Sequence, residues 1–211
     1  PHVSYYDETR GDLKYAWCDG SSWQIARVAE QGSVGRYTAL DLSRDKPRIA
    51  CYDETDAAIV FAYNDEAGWR LSSVEQRHVA CDYPSLAIDA DGFPHVAYYD
   101  STFGDLMHGF EDASGWHAET VDRRGDTGQW TSIEIDSQGR LAIAYAGMYE
   151  GWWGHLRYAW KDGAGWHVET VHEDIRASHV SLTFDSADGP HVSFFSGRYG
   201  RGYYARRSAT W

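Results

Sequence analysis

Residues 94–140 read PHVAYYDSTFGDLMHGFEDASGWHAETVDRRGDTGQWTSIEIDSQGR, and the rest of the chain repeats this unit. The aligned starts are PHVSYYD (1–7), PRIACYD (47–53), PHVAYYD (94–100), LAIAYAG (141–147) and PHVSFFS (190–196). Successive starts are 46, 47, 47 and 49 residues apart. A fixed period of about 40–50 residues is typical of four-stranded propeller blades.

Four short segments within the unit have the composition of strands: LAID (86–89), then HVAYY, LMHGF and WHAETV. Turn signals separate them, and no segment shows a sustained helical period. We therefore predict an all-β protein with almost no helix. It should be a β-propeller of four-stranded blades, five in number, in a single domain over residues 1–211. The repeats are 1–46, 47–93, 94–140, 141–189 and 190–211.

The first and last blades are expected to be incomplete. If the strands of a blade are named inner, second, third and outer, Pro1 opens at a second strand and Trp211 begins an outer strand. Two explanations compete: the sequence is a fragment of a longer chain, or a homo-oligomer or additional chain segment closes the ring. An open β edge at each end would favour pairing with another strand.

Charge and composition limit the possible partners. The net charge of -13 argues against nucleic acid and anionic membranes, but not against a neutral sugar, a basic peptide or a cation. The sequence contains no apolar run of about 18 residues, so no membrane insertion is predicted. Cys18, Cys51 and Cys81 occupy non-equivalent positions of the repeat, which indicates no disulfide framework, although a Cys51–Cys81 bridge is an open alternative.

The most variable segments are predicted to lie on one face of the ring, which we call the upper face. Connections from second to third strand and from outer to next inner strand share this face, because successive strands alternate in direction. Variable loops on a rigid scaffold commonly carry function, so the upper face and the channel mouth form the predicted site. The segments are 7–12, 53–58, 100–105, 147–155 and 196–202, together with 29–37, 75–84, 122–131 and 172–179.

The outer-to-inner connections differ in their glycines. Two read GSVGRYT (32–38) and GDTGQWT (125–131), whereas HVACDYP (78–84) and IRASHV (175–180) lack both glycines. Glycine commonly serves backbone geometry, so its loss predicts a changed loop path. Drift in single repeats and placement of distinct side chains around the channel are both open explanations.

These connections supply a mixed aromatic and hydrogen-bonding set, the kind of surface that holds sugars or small polar ligands. A Trp-Trp pair in the long loop of the fourth blade is predicted to form a wall beside them. The predicted ligand-binding residues are Arg36, Tyr37, Tyr83, Gln129, Trp130, Trp152, Trp153, His155 and Arg198, with Asp82, His179 and Tyr149 at the same entrance.

An enzyme would need an acid and a base facing one pocket. The candidates are His78, Asp82, Tyr149 and His179. A Tyr or His base with Arg36 or Arg198 would suit a polysaccharide lyase, and a carboxylate pair would suit a glycosidase. The repeated Asp7, Asp53 and Asp100 are instead expected to cap turns, and His2, His95 and His191 to be structural.

No cofactor is predicted. A metal ion held by His78, Cys81, His172 or His179 is chemically conceivable, because imidazole and thiolate suit zinc or copper, but no recognised ligand spacing is present.

The recurring PHVSYYD, GDLKYA, GW and ETV motifs resemble a class of repetitive β-propeller sequences of secreted or surface bacterial proteins. Only in repeat length and number is the chain similar to tachylectin-type five-bladed lectins. The resemblance implies a secreted or cell-surface location and a ring that can carry sugar sites. We therefore predict a lectin-like extracellular module for a carbohydrate or small polar ligand. One alternative is a propeller enzyme that acts on a polysaccharide or a secondary metabolite through the central pocket. Another is an assembly scaffold completed by strand exchange.

Overall fold

A computed structural model describes residues 1–43, 46–65, 67–74, 81–149, 152–173 and 175–207, with the backbone alone at 148, 149, 152 and 153. These residues form 18 strands in five antiparallel sheets, which are the five blades of a β-propeller. The predicted fold class is therefore confirmed. Among the described residues, the first and fifth sheets have three strands and the other three sheets have four.

The strands follow the chain from blade to blade. Blade 1 contains β1 (His2–Asp7), β2 (Asp12–Cys18) and β3 (Trp23–Ala29). Blade 2 contains β4 (Val34–Asp41), β5 (Arg48–Asp53), β6 (Ala58–Asp65) and β7 (Gly68–Ser73). Blade 3 contains β8 (Cys81–Ile88), β9 (Pro94–Asp100), β10 (Asp105–Asp112) and β11 (Gly115–Asp122). Blade 4 contains β12 (Asp126–Ile135), β13 (Leu141–Tyr149), β14 (Trp152–Asp162) and β15 (Gly165–His172), and blade 5 contains β16 (Ala177–Phe184), β17 (Pro190–Ser196) and β18 (Arg201–Arg206).

The inner strands β4, β8, β12 and β16 begin earlier than the sequence pattern predicts. The expected inner strand LAID (86–89) is part of β8, which starts at Cys81. Pro84 ends a predicted upper-face segment (75–84), but it lies within β8, where the β8–β9 register shifts between Asp82 and Ser85. A bulge tolerates proline because its N–H is not needed there. The ends of the predicted upper-face loops are therefore strand rather than loop.

The repeated tryptophans of the outer strands pack between blades. Trp69 lies edge-on to Tyr15 of the preceding blade, with ring centroids 5.5 Å apart. Trp116 contacts Phe61 in the same way at 5.5 Å, and Trp166 contacts His108 at 5.3 Å. Such edge-to-face pairs favour a unique arrangement as well as burial. Trp23, in the first blade, is 53% exposed.

The aspartates that close the second strands cap turns, as predicted. The Oδ1 atom of Asp100 accepts hydrogen bonds from the backbone N–H groups of Thr102 and Phe103 at 2.9 and 3.3 Å. Asp53 makes the equivalent contacts with Thr55 and Asp56 at 2.9 and 3.2 Å. Because these carboxylates serve the backbone of their own turns, they are structural.

Backbone and hydroxyl contacts join each blade to the next. The carbonyl of Gly104, which precedes β10, accepts a hydrogen bond from the N–H of Thr127 at 2.9 Å, and Gly154 accepts one from Ile175 at 3.0 Å. Around the inner strands, the Ser85 hydroxyl accepts from the N–H of Ile133 at 3.1 Å. These bonds set how closely adjacent blades approach at the upper face.

The three cysteines are free thiols in the structure. Cys51 and Cys81 are both buried, but they belong to different interblade clusters, so the alternative of a Cys51–Cys81 bridge is not supported. Burial raises the pKa of the Cys51 thiol, which keeps it protonated. Within the described part of the chain, no helix is long and apolar enough to cross a membrane.

A hydrogen-bonded histidine pair lies within blade 3. His108 Nδ1 is 2.9 Å from Glu119 Oε1, and His108 Nε2 is 3.0 Å from His95 Nδ1. Both hydrogen bonds can form with neutral imidazoles if each Nδ1 carries the proton. His108 then donates to Glu119 and accepts from His95. Lys161 Nζ and Trp166 Nε1 also donate to Glu119 Oε1, at 2.6 and 2.9 Å.

We expect this pair to make stability depend on pH. Burial, with a smaller contribution from His108, lowers the pKa of His95 from 6.5 to about 4. Between these values the unfolded chain binds a proton that the folded protein does not, so the free energy of unfolding should fall as pH decreases from 6.5 to 4. Linkage sets the His95 contribution at roughly 2–3 kcal/mol.

Urea unfolding at several pH values measures this slope, and His95→Gln is the matched variant because it keeps a hydrogen-bonding side chain without the titration. The variant should lose less stability between pH 6.5 and 4 than the natural chain. Asp89, Glu119 and Lys161 also face the pair. Because Glu119 titrates at lower pH, its own effect on the free energy of unfolding should be measured separately below pH 4.5. Identical slopes for both proteins would contradict the prediction.

Candidate functional site

Four aromatic side chains, one from the inner strand of each of blades 2 to 5, form one row. Tyr37, Tyr83, Trp130 and His179 occupy equivalent positions of β4, β8, β12 and β16, and each lies at a shift of strand register. Their φ angles are 54°, 54°, 55° and 50°. Left-handed backbone costs a non-glycine residue about 1–2 kcal/mol, so its recurrence in four blades indicates a bulge required by the architecture.

The bulges turn the rings toward one another. Ring centroids are 5.2 Å apart for Tyr37 and Tyr83, 4.5 Å for Tyr83 and Trp130, and 4.1 Å for Trp130 and His179. Trp130 therefore packs against a neighbouring ring from each adjacent blade, but it is only partly buried. Its role as a ligand contact stays a prediction, because Trp130 also lines a pocket beside the row.

The outer-to-inner connections confirm that loss of the glycines changes the chain path. Gly35 in β4 and Gly128 in β12 are extra residues that have no partner on the neighbouring strand. In β8 and β16 the pairing is continuous at the equivalent positions. Gly128 has a φ of 109°, and a Cβ there would lie 2.8 Å from the Cα of Leu106 in the preceding blade. Glycine is thus required at this close approach.

A pocket opens beside the row because blade 4 departs from the repeat. Where the second strands of blades 1, 2 and 3 end in YD and that of blade 5 ends in FS, β13 has Ala146 and Gly147 at the equivalent positions. In blade 3 the equivalent Tyr99 fills the interblade space and donates a hydrogen bond to Asp126 at 2.5 Å. In blade 1, Tyr6 lies 2.8 Å from the hydroxyl of Ser33. Neither an aromatic ring nor a carboxylate projects from these positions of β13.

The resulting cavity has a volume of about 420 Å³ and lies between blades 4 and 5. This is within the usual size of small-molecule sites, roughly 300–1,000 Å³. Its apolar part comes from Ala146, Ala177 and the uncovered part of Trp130, and its polar groups come from neighbouring strands. The described lining residues are Gln129, Trp130, Ala146, Gly147, Gly154, Arg176, Ala177 and Ser178.

Two predicted ligand-binding residues, Gln129 and Trp130, line this pocket, and His179 supports it by stacking on Trp130. His155 follows Gly154 in β14 and pairs with Gly147, which places it beside the pocket. Burial is the main cause that lowers the pKa of His155. The structure therefore brings these predicted residues of blades 4 and 5 together.

Other predicted residues lie elsewhere. Arg36 is paired with Glu54 at 3.1 Å and lies over the Tyr6 ring, near blade 1. Arg198 lies over Tyr199 in the turn after β17, outside the lining of the pocket. His78 lies outside the described residues, as do the side chains of Tyr149, Trp152 and Trp153.

Asp82, like His179, is a catalytic candidate whose side chain is described. It is in register with Tyr99 of β9, and burial raises its pKa above the usual range. Tyr99 donates a hydrogen bond to Asp126 and accepts one from the Gln129 amide, which links this group to the pocket lining. Two carboxylates thus lie near Tyr99, and burial makes the charged form of Asp82 less favourable than it is in water, which raises the pKa of Asp82.

No metal centre emerges from the residues that the structure describes. No group of three His, Cys, Asp or Glu side chains is arranged to hold an ion within that part of the chain. Cys81 is buried in an apolar cluster, and His172 Nδ1 is 2.6 Å from the backbone oxygen of Glu173. These contacts direct Cys81 and His172 away from a shared ligand set.

Sequence reasoning missed Ala146, Gly147, Gly154 and Arg176 as site residues. A signal for two of them was present, because LAIAYAG aligns with PHVAYYD and replaces Tyr-Asp by Ala-Gly. A small residue in a column of large ones predicts space, but its partner across the blade interface is not visible in the alignment.

Comparison with known proteins supports the fold. No family model matches the chain, and no curated protein matches it. Among solved structures, a leech intramolecular trans-sialidase complexed with 2,7-anhydro-Neu5Ac is 13% identical over 93% of this chain and 36% of that chain, with a TM-score of 0.58. A Streptococcus pneumoniae sialidase is 15% identical over 88% of this chain and 32% of that chain, with a TM-score of 0.57.

An α-L-arabinofuranosidase from Podospora anserina, in complex with cellotriose, is 10% identical over 98% of this chain and 86% of its own, with a TM-score of 0.57. The chain spans about a third of the length of the two sialidases. At these identities the likeness concerns the fold alone, since one fold hosts many functions. The chain has the β-propeller fold, and its structural neighbours include glycoside hydrolases and sialidases.

Proposed function

We propose that the protein binds a carbohydrate in the pocket between blades 4 and 5. The observation that carries this proposal is the cavity created where Ala146 and Gly147 replace the large residues of the repeat. The cavity combines an apolar floor with few polar groups, as ligand sites commonly do. The carbohydrate-active neighbours of the same fold support the choice of ligand class.

The lining residues have distinct roles in this proposal. The apolar carbons of Ala146, Ala177 and Trp130 contact C–H surfaces of a sugar ring. The Gln129 amide both donates and accepts hydrogen bonds, and the Ser178 hydroxyl does the same, so both match sugar hydroxyl groups. The aromatic row holds Gln129 and Ser178 in place, because each directly precedes a stacked ring. One such site per chain is expected, since the pocket depends on a departure from the repeat.

Filling the pocket should abolish binding without unfolding the protein. Ala146→Tyr restores the ring that blade 3 carries at this position, so the fold has a precedent for the larger side chain. We expect the affinity for a bound oligosaccharide to fall tenfold or more, about 1.4 kcal/mol. A glycan panel identifies the ligand, and isothermal titration calorimetry measures the change.

Ala164→Tyr is the matched control, because it adds the same side chain at an exposed turn of the opposite face. It should bind like the natural chain, and both variants should keep the far-ultraviolet circular dichroism spectrum of the natural chain. If Ala146→Tyr binds as tightly as Ala164→Tyr, the ligand lies elsewhere and this site is wrong.

Asp82 supports a second function, glycoside hydrolysis, in which binding leads to bond cleavage. A carboxyl with a raised pKa can act as a general acid, and Asp126 supplies a second carboxylate near Tyr99. Turnover of chromogenic glycosides that is lost in Asp82→Asn, with binding retained, would favour this function. Binding without any product on the same panel would favour a lectin-like module. In either case we propose an extracellular location, as the repeat motifs imply.

A further inference from the structure

The pocket between blades 4 and 5 has a cationic wall. Arg176 precedes β16 with a left-handed backbone, φ 52°, and lines the cavity. Its carbonyl accepts a hydrogen bond from the N–H of Gly197 at 2.9 Å, which fixes this segment to blade 5. Toward blade 4, the Cα of Arg176 packs closely against Gly154. A Cβ added to Gly154 would lie 1.9 Å from the Cα of Arg176. The backbone of Arg176 is therefore held from both sides.

The charge of this wall is unusual for the chain. The protein has 32 acidic and 19 basic residues, yet Arg176 is the one charged side chain among the described residues that line the pocket. Within the described part of the chain, its guanidinium contacts no carboxylate. By contrast, Arg36 is paired with Glu54 at 3.1 Å and Arg157 with Asp122 at 2.7 Å. Strained backbone is common at ligand-binding positions, and the described lining of this pocket contains no acidic side chain beside Arg176.

We propose that the pocket selects a sugar that carries a carboxylate, and that Arg176 binds this group. A guanidinium matches a carboxylate through two parallel N–H to O hydrogen bonds, which give both affinity and orientation. Gln129 and Ser178 then receive the hydroxyl groups of the same sugar. This inference rests on carbohydrate binding at the pocket, and it specifies the substrate class. Uronic acids and sialic acids both supply the required carboxylate.

The experiment compares acidic and neutral oligosaccharides of matched size on the whole chain. Trigalacturonate is paired with galactotriose, and 3′-sialyllactose with lactose, so the two sources of carboxylate are separated. Calorimetric titration should give tighter binding of one acidic probe than of its neutral reference. Arg176→Gln should reduce that affinity tenfold or more relative to the affinity for the neutral reference, and Arg176→Lys should retain part of the preference.

Arg201→Gln is the control, because it removes an exposed cation of β18 that does not line the pocket. It should leave the preference intact, and thermal melting should show that all variants are folded. Equal binding of acidic and neutral probes, or a preference that survives in Arg176→Gln, overturns the role of Arg176 while carbohydrate binding stands. Failure of every oligosaccharide, including a wider neutral glycan panel, overturns carbohydrate binding and the further inference together.

Discussion

Asp122→Asn should lower the free energy of unfolding by about 3–5 kcal/mol, the typical cost of breaking a buried ion pair. One oxygen of Asp122 accepts hydrogen bonds from Tyr145 and Arg157, both at 2.7 Å. The side chains of Asp122 and Arg157 are only 1% and 7% exposed. Removing the negative charge would leave the Arg157 guanidinium buried without its counter-ion, between blades 3 and 4.

The carboxylate is ionised under ordinary conditions. Burial would raise the pKa of Asp122, but hydrogen bonds from Arg124, Tyr145 and Arg157 outweigh it and lower this pKa. Urea unfolding at pH 7 measures the loss. Asp112→Asn is the control, because Asp112 pairs with His117 at an exposed turn and its replacement should change stability little. Similar losses for both variants would show that the buried network does not stabilise the fold.

Gly154→Ala should lower the free energy of unfolding by about 2–5 kcal/mol, combining backbone strain with overpacking. Gly154 has a φ of 99°, and an added Cβ would lie 1.9 Å from the Cα of Arg176. Backbone atoms cannot turn away as a flexible side chain can. The two blades must separate locally, so the carbohydrate binding proposed for the pocket between them should weaken as well.

Gly104→Ala isolates the effect of this contact. Gly104 occupies the same repeat position in blade 3 as Gly154 in blade 4, two residues before a leucine. Its φ is 74°, but an added Cβ would lie at an ordinary 3.4 Å from the Cα of Asp126. Only the backbone strain should remain there, so the loss should be about 1 kcal/mol. Thermal and urea unfolding of both variants provide the comparison. If Gly104→Ala costs as much as Gly154→Ala, the approach of Arg176 is not the cause.

The repeat makes most of the fold predictable. Apolar residues recur with a period of two, turn residues separate them, and the unit returns about every 47 residues. The roles of repeated residues follow from their columns: Asp53 and Asp100 cap turns, as predicted. The limits of the inner strands were less predictable, because the outer-to-inner connections vary between repeats and were predicted to be loops. Their bulges depend on contacts with the next blade.

The site was predictable only in part. Gln129, Trp130 and His179 were recognised because they differ among otherwise similar repeats, and the structure places them at one pocket. Whether an aromatic face is open depends on its neighbours, and Trp130 packs against Tyr83 and His179 while it also lines the pocket. Arg36 was expected at the same entrance, but Glu54 pairs with it. Pairing across blades leaves no trace in a repeat alignment.

The sequence by itself therefore determined the β-propeller and the face that varies, because a strand period and a fixed repeat restrict each residue to a position within its own blade. Tertiary structure alone decided that Ala146 and Arg176 share a cavity. These residues lie on different blades, and the space between them depends on the approach of β14 to the start of β16. Close packing determines which side chains meet there, since interfaces between blades are filled unless the residues are too small to fill them.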